Sequence, residues 1–100
     1  MALKIEVEFS PVFQTAFQSS SVLIELDEDE GTVKGLLRRL SSESEGKITS
    51  LLFEEGSDSV LPGLMVMVNN RMFTGPALNE QVVHLRDEDR VSLLYFVSGG

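Results

Sequence analysis

Asp27-Glu28-Asp29-Glu30-Gly31-Thr32-Val33-Lys34-Gly35-Leu36-Leu37-Arg38-Arg39-Leu40 holds the clearest helical period in this chain. Val33, Leu36, Leu37 and Leu40 fall at i, i+3, i+4 and i+7, which is one apolar stripe of an amphipathic helix. Lys34, Arg38 and Arg39 occupy its other face. Thr32 is a good N-cap, because its hydroxyl can accept a backbone N–H of the first turn. The acidic run before it sits at the positive end of the helix dipole, worth ~0.3–1 kcal/mol. That is a sufficient structural reason for the run, and no metal-ligand spacing is complete within it.

On either side of this stretch the period changes to two. Leu3, Ile5, Val7 and Phe9 alternate with Lys4, Glu6 and Glu8, the pattern of a half-buried strand. Ser10-Pro11 breaks it, and Gln18-Ser19-Ser20-Ser21 reads as loop. Val22, Ile24 and Leu26 form a second strand, expected to pair with the first as a hairpin. Beyond the helix, Ser41 to Gly46 is a polar stop. Ile48, Leu51 and Leu52 suggest one or two more helical turns, and Glu54 to Gly63 is loop. Leu64, Val66 and Val68 mark a third strand, with Met65 and Met67 on its other face. Asn69-Asn70 is a turn, since Asn tolerates the left-handed region. Arg71-Met72-Phe73 is a short fourth strand, and Gly75-Pro76 turns the chain again. Asp87-Glu88-Asp89 is a last acidic turn before Val91-Ser92-Leu93-Leu94-Tyr95-Phe96-Val97.

The order is strand, strand, helix, strand, short strand, strand. One helix packed across one mixed sheet of four to five strands is a two-layer α+β architecture suited to a chain of 100 residues. The whole of residues 1–100 is expected to form one domain, ending in a flexible tail over about 97–100. The apolar fraction of 42% suffices for a single core, while no apolar run approaches the ~20 residues of a membrane helix. The N-terminal residues show no basic region followed by an apolar block, so no secretory signal and a cytoplasmic address are expected. There is no cysteine, which excludes a thiol nucleophile or a thiolate metal site supplied by this chain. The net charge of −8 argues against phosphate-backbone binding and favours a basic partner surface.

The chain closes on Val97-Ser98-Gly99-Gly100. Glycine has no Cβ, so such an end is slim and leaves the α-carboxylate unhindered. Four extended residues reach at most ~13–14 Å, enough to enter a partner's cleft.

Three segments carry a resemblance. Val66-Met67-Val68-Asn69-Asn70-Arg71 resembles the V-x-V-N-G-R strand and turn of the MoaD/ThiS sulfur carriers. Leu85-Arg86-Asp87-Glu88-Asp89-Arg90-Val91 is similar to their L-x-D-G-D-E-V, and Val97-Ser98-Gly99-Gly100 to their V-[A/S/T]-G-G. Leu51 to Leu64 resembles an insert of the longer carriers. There are departures: Asn70 and Glu88 stand where the family favours glycine, and Tyr95-Phe96 replaces a proline-containing pair. The resemblance covers the whole chain.

It implies a β-grasp (ubiquitin-like) fold and a protein that is substrate rather than catalyst. A carboxylate is a poor electrophile and needs activation. The resemblance implies that a ubiquitin-activating-type enzyme uses ATP to adenylate Gly100, and that sulfur then replaces the adenylate to give a thiocarboxylate. Gly99, Ser98 and Val97 would thread into that enzyme. A sulfur-accepting synthase subunit, MoaE-like or equivalent, would take the sulfur, with molybdopterin assembly the commonest use and this chain the small subunit. No cofactor, metal, nucleic acid or membrane is expected to be bound. Leu94, Phe96 and Phe9 are the expected partner contacts. Arg71, Arg86 and Arg90 can pair with acidic partner groups or stand as solvated turn charges. Two other readings stay open: a modifier joined through Gly100 to lysines, and an interaction domain with an inert tail.

Overall fold

Leu3, Ile5, Val7 and Phe9 lie in the first strand, β1 (Ala2–Phe9), and Ile5 and Val7 are fully buried. The structure is a computed structural model that describes residues 2–95. Antiparallel to β1 runs β2 (Ser21–Asp27), with Leu3 opposite Leu26 and Val7 opposite Val22. The link between them is more than a loop. Pro11–Phe17 forms a helix, α1, with proline in its first turn, where a missing N–H costs nothing. Gln18 ends it in the left-handed region at φ 54°. Phe13 is fully buried, and Phe17 stacks on Phe9 at 4.5 Å between ring centroids.

A single 3-10 turn (Glu28–Glu30) follows, then α2 (Val33–Glu43). The Thr32 hydroxyl accepts the Gly35 N–H at 3.0 Å, the expected cap. Val33, Leu36, Leu37 and Leu40 are all buried, so the predicted stripe is the face laid on the sheet. Gly35 allows the acidic turn to fold back on the helix, because a Cβ there would lie 2.2 Å from the Glu30 carbonyl oxygen. The helix runs on through Ser41 and Ser42 to Glu43, past the expected stop. Ser44 then ends it: its hydroxyl donates to the Ser41 carbonyl at 2.9 Å and accepts the Ile48 N–H at 3.3 Å. A further turn, α3 (Thr49–Leu52), places Ile48 and Leu52 in the core.

The antiparallel pair β3 (Leu64–Val68) and β4 (Arg71–Thr74) follows the insert. Of its two turn asparagines, Asn69 alone takes the left-handed conformation, at φ 54°. The expected turn at Gly75-Pro76 is instead a helix, α4 (Gly75–Glu80). Thr74 caps it by accepting the Ala77 N–H at 3.3 Å, Pro76 sits in its first turn, and Leu78 is buried. The side chain of Asn79 then holds Val60 of the insert, accepting its N–H at 2.8 Å and donating to its carbonyl at 3.0 Å.

The last strand, β5 (Arg90–Tyr95), lies in the middle of a five-stranded sheet ordered β2-β1-β5-β3-β4. It is parallel to β1 and antiparallel to β3. The sheet is therefore mixed, with α2 across one face, and the fold is the β-grasp.

Candidate functional site

The route to the tail is set by β5. Alternation turns Val91 and Leu93 inward, where both are fully buried, and Ser92 and Leu94 outward. The strand's start is fastened by polar groups. Asp87 accepts the Lys4 N–H at 2.8 Å. The two carboxylate oxygens of Asp89 accept the Arg86 N–H at 2.8 Å and the Asn69 side-chain amide at 3.0 Å. Asn69 in turn accepts the Arg90 N–H at 3.0 Å, and its own N–H donates to the Arg90 carbonyl at 2.7 Å. The Asn-Asn and Asp-Glu-Asp motifs are thus joined in one network that aligns β1, the β3–β4 turn and β5. Glu88, at the place of the family's glycine, keeps that turn by adopting φ 70°.

At the other end, Tyr95 is half-buried against the core. Its ring lies 5.8 Å from that of Phe13, and its hydroxyl donates to the Leu51 carbonyl at 2.5 Å. Burial raises its pKa above the ordinary value. Phe96, Val97, Ser98, Gly99 and Gly100, where most of the sequence-derived site lies, are outside the described residues.

Leu94 is half-buried on the outer face of the sheet and opposes Met65. Ser92 opposes Met67, which opposes Met72, itself 47% exposed. Leu94, Met65, Met67 and Met72 thus share the face of β5, β3 and β4 that lies away from α2. Met65 and Met67 were expected on the third strand's second face; their grouping with Met72 and Leu94 depends on the pairing of β3 with β4 and β5. Phe9 is corrected. It is 6% exposed and covered by Phe17, because α1 folds back over the end of β1, so its ring belongs to the core.

Arg90 and Arg71 are engaged within the chain, while Arg86 is exposed. Arg90 lies 3.4 Å from Glu6 and 3.5 Å from Glu8, and Arg71 sits over the Phe73 ring at 5.2 Å. His84 forms a backbone bridge to Thr32. Among the described residues, no three His, Cys, Asp or Glu side chains group to hold a metal, and no helix is long and apolar enough to cross a membrane.

The profile of the ThiS family matches residues 12–100, the final glycines included. The chain belongs to the ThiS family. Among solved structures, the Haloferax volcanii HVO 2177 protein is 28% identical, with 99% of this chain and 88% of that one covered and a TM-score of 0.76. The small archaeal modifier protein 1 of Methanosarcina acetivorans is 17% identical, with 100% and 99% covered and a TM-score of 0.77. A protein assigned as molybdopterin converting factor subunit 1, from Pyrococcus furiosus, is 23% identical, with 95% and 99% covered and a TM-score of 0.69. No curated protein matches the chain.

Proposed function

We propose that Gly100 carries sulfur. An adenylating enzyme of the ubiquitin-activating type uses ATP to convert its carboxylate to an acyl-adenylate with loss of pyrophosphate. Sulfur then displaces AMP and leaves a C-terminal thiocarboxylate. This thiocarboxylate donates sulfur in cofactor assembly, with molybdopterin as the first acceptor pathway to test and this chain as the small subunit of the synthase. The observation that carries the reading is the family match running through Gly99 and Gly100. In this reading the cytoplasmic chain supplies the electrophilic carbon and no catalytic side chain.

Val97, Ser98 and Gly99 thread the partner's cleft, and a side chain at either glycine widens the segment and slows activation. Leu94, with Met65, Met67 and Met72, is the docking surface, and Phe96, outside the described residues, is a further partner contact in this reading. Met72 is exposed and the other three are half-buried, and apolar groups that reach the surface together mark protein contacts.

The test is the mass of the tryptic peptide Val91 to Gly100 from protein isolated with its native partners. That peptide holds no methionine, so sulfur-for-oxygen exchange is not confused with methionine oxidation. A gain of sulfur in place of oxygen is expected. A branched peptide bearing lysine from another protein would make the chain a modifier. A free carboxylate in every preparation, with ATP, activating enzyme and a sulfur source supplied, would overturn both.

A further inference from the structure

The far side of the sheet holds a feature the tail does not use. Among the described residues β2 is an edge strand, with β1 on one side and no strand on the other. Its hydrogen-bond phase follows from one bond. Phe9 and Ser20 continue the β1–β2 register, and the Phe9 N–H donates to the Ser20 carbonyl at 2.9 Å. Bonded pairs alternate with non-bonded pairs in an antiparallel ladder. Val22, Ile24 and Leu26 therefore direct their backbone groups to β1, and Ser21, Leu23 and Glu25 direct theirs outward. The other side of β1 agrees, since the Glu6 N–H and the Lys4 carbonyl serve the Asp89 and Glu88 turn instead. Ser21 is served locally by the Ser19 hydroxyl. The ladder turns the N–H and carbonyl groups of Leu23 and Glu25 to the edge, where no described strand meets them.

Edges are ordinarily blunted by charged side chains, proline, bulges, inward charges or cover, and Glu25 and Asp27 are such charges, which turn away acidic strands and admit basic ones. Here the edge bears Leu23, 66% exposed. Beside it lies a shallow recess lined by Lys4, Glu6, Leu23 and Glu88. The strand then runs into Glu25, Asp27, Glu28, Asp29 and Glu30. We propose that the edge of β2 receives an extended segment of a partner protein as a sixth strand, with an apolar residue against Leu23 and lysine or arginine beside Glu25 and Asp27. The charge excludes the other simple occupant. A second copy would bring the same acidic strand edge-on, between molecules of net charge −8, and like charges across strands repel. β1 separates this edge from β5, so it is free while the tail and Leu94 are engaged.

The test is a titration of the isotope-labelled full chain, followed by its backbone amide resonances. The probe is a short synthetic peptide of alternating valine and threonine flanked by lysines; the control has glutamates in their place. Shifts confined to residues 21–27 and the neighbouring β1, with the lysine peptide only, are expected. Leu23→Pro removes one outward donor without touching the β1 ladder, and should weaken binding about three- to tenfold. Glu25→Lys should reverse the preference between peptides, and decides the matter alone if the proline variant does not fold. Equal binding of both peptides, shifts centred on Leu94 and Met65, or unchanged affinity in Leu23→Pro would overturn the proposal. Concentration-dependent shifts at 21–27 without peptide would assign the edge to a second copy instead.

Discussion

The two ends of β5 are secured by different means. Its start is tied to β1 and to the β3–β4 turn by hydrogen bonds that the side chains of Asp87, Asp89 and Asn69 accept. Its far end is held by the burial of Leu93, the half-buried ring of Tyr95, the Ser10 N–H donating to the Leu93 carbonyl at 3.1 Å, and the Tyr95 hydroxyl donating to the Leu51 carbonyl. The polar end contains Asn69 and the Asp87-Glu88-Asp89 turn, and their work is alignment. The apolar end leads to the glycines, where the proposed chemistry needs no side chain. The motif and the proposed site of reaction therefore lie on opposite sides of β5 along the chain.

Substitutions can test that division. Leu93→Ala should be the most damaging, at about 2–5 kcal/mol, because a fully buried leucine leaves a cavity under α2. Denaturant unfolding would measure it. A loss no larger than that of a surface site would mean that the far end does not depend on the core. Asp89→Ala comes next, at about 1–3 kcal/mol, since it strips partners from the Arg86 N–H and the Asn69 amide together. Asn69→Ala should overlap with it rather than add, because both break one network. Strict additivity in the double variant would dissolve the polar end into independent bonds.

Tyr95→Phe removes only the hydroxyl, and should cost about 0.5–1.5 kcal/mol. It also isolates a pH effect. Burial raises the pKa of Tyr95 in the folded chain above its ordinary value near 10, so the unfolded chain releases this proton first. Stability should be complete below the unfolded value and fall as pH rises from there through the folded value. Tyr95 is the only tyrosine, so tyrosinate absorbance reports it directly. Coincident titrations in native and denaturing buffer would place this ring in water.

What was legible in the sequence follows the range of the forces involved. The Thr32 to Leu40 helix was readable because cap and stripe are local. The strands were readable from period two. The helix at Pro11–Phe17 was not, since Phe13, Ala16 and Phe17 span too few turns to establish a period. Gly75-Pro76 punctuates a turn or opens a helix equally well, and only the Thr74 cap and buried Leu78 decide it. Phe9 was misplaced because its cover comes from that unread helix. The parallel pairing of β1 with β5, and with it the Leu94–methionine surface, depends on register between residues far apart in the chain. The free edge of β2 required that same strand order.

Glu88 gives the smallest and most local test. It stands where the family favours glycine, and the structure shows what that position demands: φ 70°, with its N–H donating to the Lys4 carbonyl at 2.8 Å. A non-glycine side chain in the left-handed region is strained by its Cβ. Its carboxylate is exposed, and it stands beside Asp87 and Asp89, already engaged as acceptors. Glu88→Gly removes the strain and one like charge but loosens the unfolded chain, which opposes part of the gain. The expected balance is a stabilisation of about 0.5 kcal/mol, read as a small rise in melting temperature with the Asn69–Asp89 network intact. A fall instead would mean that the Glu88 side chain supports the recess beside Leu23 more than its backbone strains the turn.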